Sequence, residues 1–163
     1  MSEQEQKIYK ALDDLGVTYE KYEHPAFATC DSSGTFYKDN DMGVDCKNIF
    51  LQNRRGKKHY LIVLLADKKL DIPHLAEFLD EHKKMGFASE GRLNKYLGLT
   101  PGSVTPLAII NQNALDIPVI LDKEIFDYEY VHFHPSRNTA SIKITTDDFM
   151  KFCKMHACDV KIY

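Results

Sequence analysis

The chain has 163 residues, 44% of them hydrophobic, and a formal charge of −3 from 21 Lys and Arg against 24 Asp and Glu. That length predicts one domain, residues 1–163, with a proper core, and the charge balance excludes a protein that grips polyanions over its whole surface. No run approaches the ~18 to 20 apolar residues of a membrane span, the polar N-terminus lacks a signal-peptide core, and Cys30, Cys46, Cys153 and Cys158 form no CxxC pair; we expect a cytoplasmic protein with reduced thiols and no membrane attachment.

In chain order, Ile8, Leu12 and Leu15 recur at helical spacing over residues 3 to 15, with Gly16 as a left-handed stop. Val17 to Tyr22 alternates as a strand until His24-Pro25 breaks it. A weak helical pattern runs from Thr35 to Met42. Strands are predicted at about 47 to 53 and 59 to 66 around the polar hairpin Asn53-Arg54-Arg55-Gly56-Lys57, the second reading as a central buried strand. Asp71-Ile-Pro73 opens a helix with Leu75, Phe78 and Leu79 on one face. Phe87 to Ser89 reads as a short strand, Glu90 to Leu97 as a helix closed by Gly98, and Thr100-Pro101-Gly102-Ser103 as a tight turn. Short strands follow at Ala108 to Ile110, Val119 to Leu121, Tyr130 to Phe133 and Thr139 to Ile144, then a helix from Asp148 to Met155 and an edge strand at Val160 to Tyr163. This order predicts an α+β fold with a mixed, curved, barrel-like sheet flanked by helices.

Three stretches carry possible chemistry. Lys47 opens an otherwise apolar strand, where a cation needs solvent or an anion. Gly102-Ser103-Val104-Thr105-Pro106 is a G-x-x-x-P turn able to aim consecutive N–H groups at an oxygen bearing negative charge. His134 follows an apolar strand, and Asn138 lies in the turn after it. Each also has an ordinary structural reading: a solvated lysine, a connector, a satisfied loop histidine. His132 and His134 share a strand face without a carboxylate or thiolate at short spacing, so no zinc site is expected. Cys46 faces the core if its neighbour Lys47 faces a cleft. The glycines at 34, 43 and 56 match neither a P-loop nor a dinucleotide fingerprint.

The ordered motifs HPAFAT, CKNIFL, GLTPGSVTPLAI and FHPSRNTASIKI, from about residue 7 to residue 155, resemble the YbaK/prolyl-tRNA synthetase editing-domain superfamily, in particular the free-standing ProX-type (PrdX-like) Ala-tRNA(Pro) deacylases. The resemblance implies that Lys47 is the lysine required for hydrolysis, holding the 3′ end of the tRNA or the aminoacyl group. It implies that Gly102 meets the ester carbonyl with Ser103 beside it, that His134 limits the size of the amino acid with Asn138 in the same motif, and that Thr29 lines the pocket wall. It implies no cofactor and no metal, and as partners the acceptor end of mischarged tRNA(Pro) and, further, prolyl-tRNA synthetase. Cys-tRNA(Pro) deacylation and a non-catalytic module binding aminoacyl-tRNA or a proline-like ligand stay open as alternatives. Arg54, Arg55, Lys57, Lys58, Lys68 and Lys69 are the basic candidates for tRNA contact. The sequence does not specify an oligomeric state.

Overall fold

Ser2 opens the first helix, α1 (Glu3–Leu15), by accepting a hydrogen bond from the Glu5 amide, and Gly16 ends it at φ +75°. In this computed structural model, residues 1–26 and 43–163 are described. The weak helical pattern at Thr35 to Met42 and Thr29 of the motif HPAFAT lie outside them. The strands are β1 (Tyr19–Glu23), β2 (Gly43–Gln52), β3 (His59–Leu65), β4 (Gly86–Phe87), β5 (Val119–Leu121), β6 (Tyr130–Phe133), β7 (Ala140–Thr145) and β8 (Val160–Ile162). The remaining α-helices are α2 (Ile72–Phe78), α3 (Glu90–Leu97) and α4 (Thr146–His156). Their caps are those the sequence carries: Asp71, Ser89 and Thr145 each accept from an amide in the first turn.

Among the described residues the sheet is mixed and runs β1-β7-β6-β2-β3-β5-β8, with β4 paired to the end of β2. The sheet is mixed, as expected, and is not closed into a barrel. β1 and β8 stand at opposite ends of an open sheet, each paired on one side only. The two faces of the sheet carry separate cores. On one, Ile8 and Leu12 of α1, Leu93 and Leu97 of α3, and Phe149 and Phe152 of α4 pack with Phe50, Leu61, Val63, Val131, Ile142 and Ile144. On the other, Leu75 and Ala76 of α2 pack with Leu51, Tyr60, Ile62, Leu64 and Ile120. All seven residues of β3 are therefore buried, which is why it reads as an unbroken apolar run.

Two expectations change. The strand expected at Ala108 to Ile110 is a 3₁₀ segment, Pro106–Ile110. Thr105 caps it by accepting from the Leu107 amide, and Pro106 starts it with φ already near helical values. A buried apolar run this short has the same pattern in either conformation. Second, the strand holding Lys47 begins at Gly43, because residues 43–45 pair in parallel with Tyr130, Val131 and His132 of β6. Lys47 is thus within the strand and half-buried rather than at its entrance.

Candidate functional site

β2 carries Lys47 and pairs or bonds with the segments that hold His134 and Gly102. Val44, Cys46 and Phe50 meet the larger core, and Ile49 and Leu51 the smaller one. Strand alternation then sets Asp45 and Lys47 on the smaller-core face and Asn48 on the opposite face. Lys47 stands opposite Leu64 of β3 in the register, and Cys46 packs against the larger core as its neighbour's orientation requires.

The turn at Gly102 approaches β2 from the Asn48 side. Asn48 donates from Nδ2 to the Val104 carbonyl at 3.1 Å, while its own Oδ1 is buried with no hydrogen-bond partner. Gly102 has φ +85° and is exposed, with nothing within 4 Å of where a Cβ would stand. Its neighbour Ser103 is buried and donates from Oγ to the Thr100 carbonyl at 2.8 Å, and the Ser103 amide reaches the same carbonyl at 3.1 Å. Ser103 therefore anchors the turn.

His134 lies just beyond β6. Its Nδ1 is 2.9 Å from the Ala140 carbonyl, which can only accept, so Nδ1 carries the proton and Nε2 is the free lone pair of the neutral ring. Burial holds its pKa below the ordinary histidine value; nearby His24 acts in the same direction, while the Ala140 bond and Asp45 oppose it. His24 is buried, with Nδ1 on the Pro25 carbonyl and Nε2 2.8 Å from Ser141 Oγ, and its ring centroid is 6.1 Å from that of His134. Asp45 meets Nδ1 of buried His132 at 3.0 Å. Asn138 is half-buried in the turn leading to β7.

Arg137 fixes that turn. Its Nε lies 3.0 Å from both carboxylate oxygens of Glu5, which is 1% exposed, and its terminal nitrogens reach Glu23 at 2.8 and 2.6 Å and Thr139 Oγ1 at 2.8 Å. The segment behind His134 is thereby clamped to α1 and β1.

The structure thus joins β2 to both remote motifs, at Asp45 to the strand that delivers His134 and at Asn48 to the Gly102 turn. Along β2 Lys47 lies between these attachments, on the face shared with Asp45 and opposite the one from which Asn48 reaches the Gly102 turn. Sequence reasoning passed over Asn48, His24, Asp45 and Arg137. Asn48 and His24 stand inside motifs already quoted, and a polar side chain in mid-strand was the available signal; the carboxylate partners of Arg137 lie 132 and 114 residues away and leave no local trace. Lys68 proves to be structural: it bridges buried Asp122 at 2.9 Å and Glu124 at 3.0 Å. Among the described residues no group of three or more His, Cys, Asp or Glu could hold a metal ion, and no helix is long and apolar enough to cross a membrane.

Comparisons with known proteins place the chain in a family. The model of the aminoacyl-tRNA editing domain matches residues 24–152. The chain is 33% identical over 149 residues to the prolyl-tRNA editing protein ProX of Acetoanaerobium sticklandii, covering 91% of this chain and 90% of that one. It is 28% identical over 150 residues to the prolyl-tRNA synthetase associated domain-containing protein 1 of Bos taurus, covering 90% and 86%. A crystal structure of a candidate trans-editing enzyme for prolyl-tRNA synthetase superposes with a TM-score of 0.73 at 18% identity, covering 99% of this chain and 98% of that one. The chain belongs to the aminoacyl-tRNA editing domain family.

Proposed function

We propose that this protein is a trans-editing deacylase that hydrolyses the ester of mischarged Ala-tRNA(Pro). The observation that carries the reading is the family match over residues 24–152 together with the near full-length similarity to a prolyl-tRNA editing protein. An aminoacyl ester is already activated, so the chemistry asks for a positioned water and a stabilised tetrahedral oxyanion more than for a strong nucleophile. Lys47 holds the terminal phosphate or hydroxyl, amides of the Gly102 turn receive the oxyanion, and the 2′-hydroxyl of the terminal adenosine assists the water. The neutral imidazole of His134 walls the amino-acid pocket, Asn138 steadies its turn, Ser103 the Gly102 turn, and Thr29 lines the wall. A synthetase site built for proline rejects smaller alanine by only a few kcal/mol, so a second, smaller pocket removes the errors.

Residues 1–163 form one editing unit in this reading. It works in the cytoplasm on tRNA released by prolyl-tRNA synthetase, for which relatives are named. The test is incubation with tRNA(Pro) carrying alanine, cysteine or proline. Loss of the alanyl ester alone is the expected result. Preferential loss of the cysteinyl ester would reassign the substrate, and inertness toward all three would make the protein a binding module.

A further inference from the structure

We propose that the end of the sheet formed by the β2–β3 hairpin and the segment before β4 is a docking surface for the ribose-phosphate backbone of a tRNA acceptor stem; this rests on the proposed function and adds to it the place where the duplex lies. The pairing of Leu51 with Phe87 and of Gln52 with Gly86 brings residues 52–59 and 82–89 side by side. Together they hold Arg54, Arg55, Lys57, Lys58, Lys83 and Lys84, six of the chain's 21 Lys and Arg, and none of its 24 Asp and Glu. A protein of net charge −3 therefore presents one strongly positive end, and a local field of this kind recruits a polyanion without a basic whole.

All six side chains are exposed, and none forms an ion pair with a described residue. Lys7, Lys10, Lys68 and Lys161, by contrast, are each held by a carboxylate. The surface also has shape. A cleft of about 520 Å³ runs between the two segments, lined by Gln52, Asn53, Arg54, Lys84, Met85 and Gly86. Gln52, which lines the cleft, has a buried Oε1 with no hydrogen-bond partner. Two cations beside a spare acceptor match a phosphate with its neighbouring 2′-hydroxyl, the group that separates RNA from DNA.

The hairpin is rigid enough to be a platform. Asn53 Oδ1 accepts from the amides of Lys57 and Lys58 at 3.0 and 3.2 Å, and Arg92 of α3 reaches the Gly56 carbonyl at 2.7 Å. Gly56, at φ +64°, admits this contact because a Cβ there would stand 2.6 Å from the guanidinium. Five steps along β2 separate Lys47 from Gln52, roughly 17 Å at about 3.3 Å per residue. With the ester held at Lys47, the unpaired 3′ tail follows β2 and the duplex meets the hairpin. Contacts of this kind set register without reading bases.

The test compares Arg54→Glu/Lys84→Glu with Lys123→Glu/Lys151→Glu, an equal charge change at exposed positions elsewhere. Each is assayed on Ala-tRNA(Pro) and on the alanyl ester of the CCA trinucleotide, which has no stem. The expected result is a fall on the order of tenfold in the tRNA-to-trinucleotide ratio of kcat/KM for the hairpin variant alone, with a salt slope shallower by about two for two lost phosphate contacts. Equal falls for both variants, or an unchanged ratio, would overturn the proposal. Anisotropy with uncharged tRNA(Pro) decides docking even where wild type hydrolyses no ester, a result that sinks the editing function instead: a similar loss of affinity in the hairpin variant upholds the surface, and unchanged affinity removes it. A DNA hairpin of the same sequence binding as tightly as the RNA would refute the ribose contact.

Discussion

Lys47, Gly102 and His134 differ in how much of the fold depends on them, and that difference makes their roles separable. Lys47 is half-buried on β2 opposite Leu64. For Lys47→Ala we expect deacylation to fall at least about a hundredfold through lost positioning, with stability within about 0.5 kcal/mol of wild type; a variant of normal activity would remove the anchoring role. At Gly102 the side chain of alanine has space but not conformation. The strain of φ +85° should cost Gly102→Ala about 1 to 2 kcal/mol, read as a lower urea midpoint. Truncating the wall at His134→Ala should raise hydrolysis of the prolyl ester relative to the alanyl ester by on the order of tenfold. Unaltered selectivity would assign the pocket wall elsewhere.

Among the elements, the turn 134–139 depends most on distant support. Arg137 carries it onto α1 through Glu5 and onto β1 through Glu23, and these carboxylates hold the guanidinium firmly protonated, Glu23 more than Glu5. Glu5 is almost fully buried, so Arg137→Met leaves a charge without its partner, at a cost of about 3 to 5 kcal/mol. Thermal unfolding measures this, and Glu5→Gln in the same background should recover part of the loss. No recovery would mean that the packing of the arginine stem, rather than the ion pair, holds the turn. Helix ends, by contrast, are locally encoded. Ser2, Asp71, Ser89 and Thr145 cap where the sequence places them, and Gly16 and Gly98 close α1 and α3 at positive φ. The helix-forming signals sit within a few residues of their effect, which is why the starts of α1, α2 and α3 were legible, while α4 begins two residues before the expected Asp148.

For the molecule as a whole, acid sensitivity follows from its histidines. His59, His134 and His156 are each held below the ordinary value of 6.5, burial being the largest cause in every case. As pH falls through 6.5 the unfolded chain takes up protons before the folded one, so stability is full above 6.5 and declines as pH drops toward the depressed folded values. The urea midpoint should be level between pH 7.5 and 8.5 and lower at 5.5; a midpoint that rises on acidification would contradict this.

Sequence by itself determined the α+β class, the capped helices, the buried run of β3 and the motif order that identifies the family, because caps, periodicity and turn residues act over a few neighbouring positions. Tertiary structure alone decided that the sheet stays open, that residues 43–45 extend β2 by pairing with β6, that Ala108 to Ile110 is 3₁₀ rather than strand, and that Lys68 belongs to Asp122. It also joined Asn48 to the Gly102 turn and Arg137 to Glu5. Each of these depends on which remote segment arrives to accept a hydrogen bond or balance a charge, and only chain closure over many residues supplies that partner.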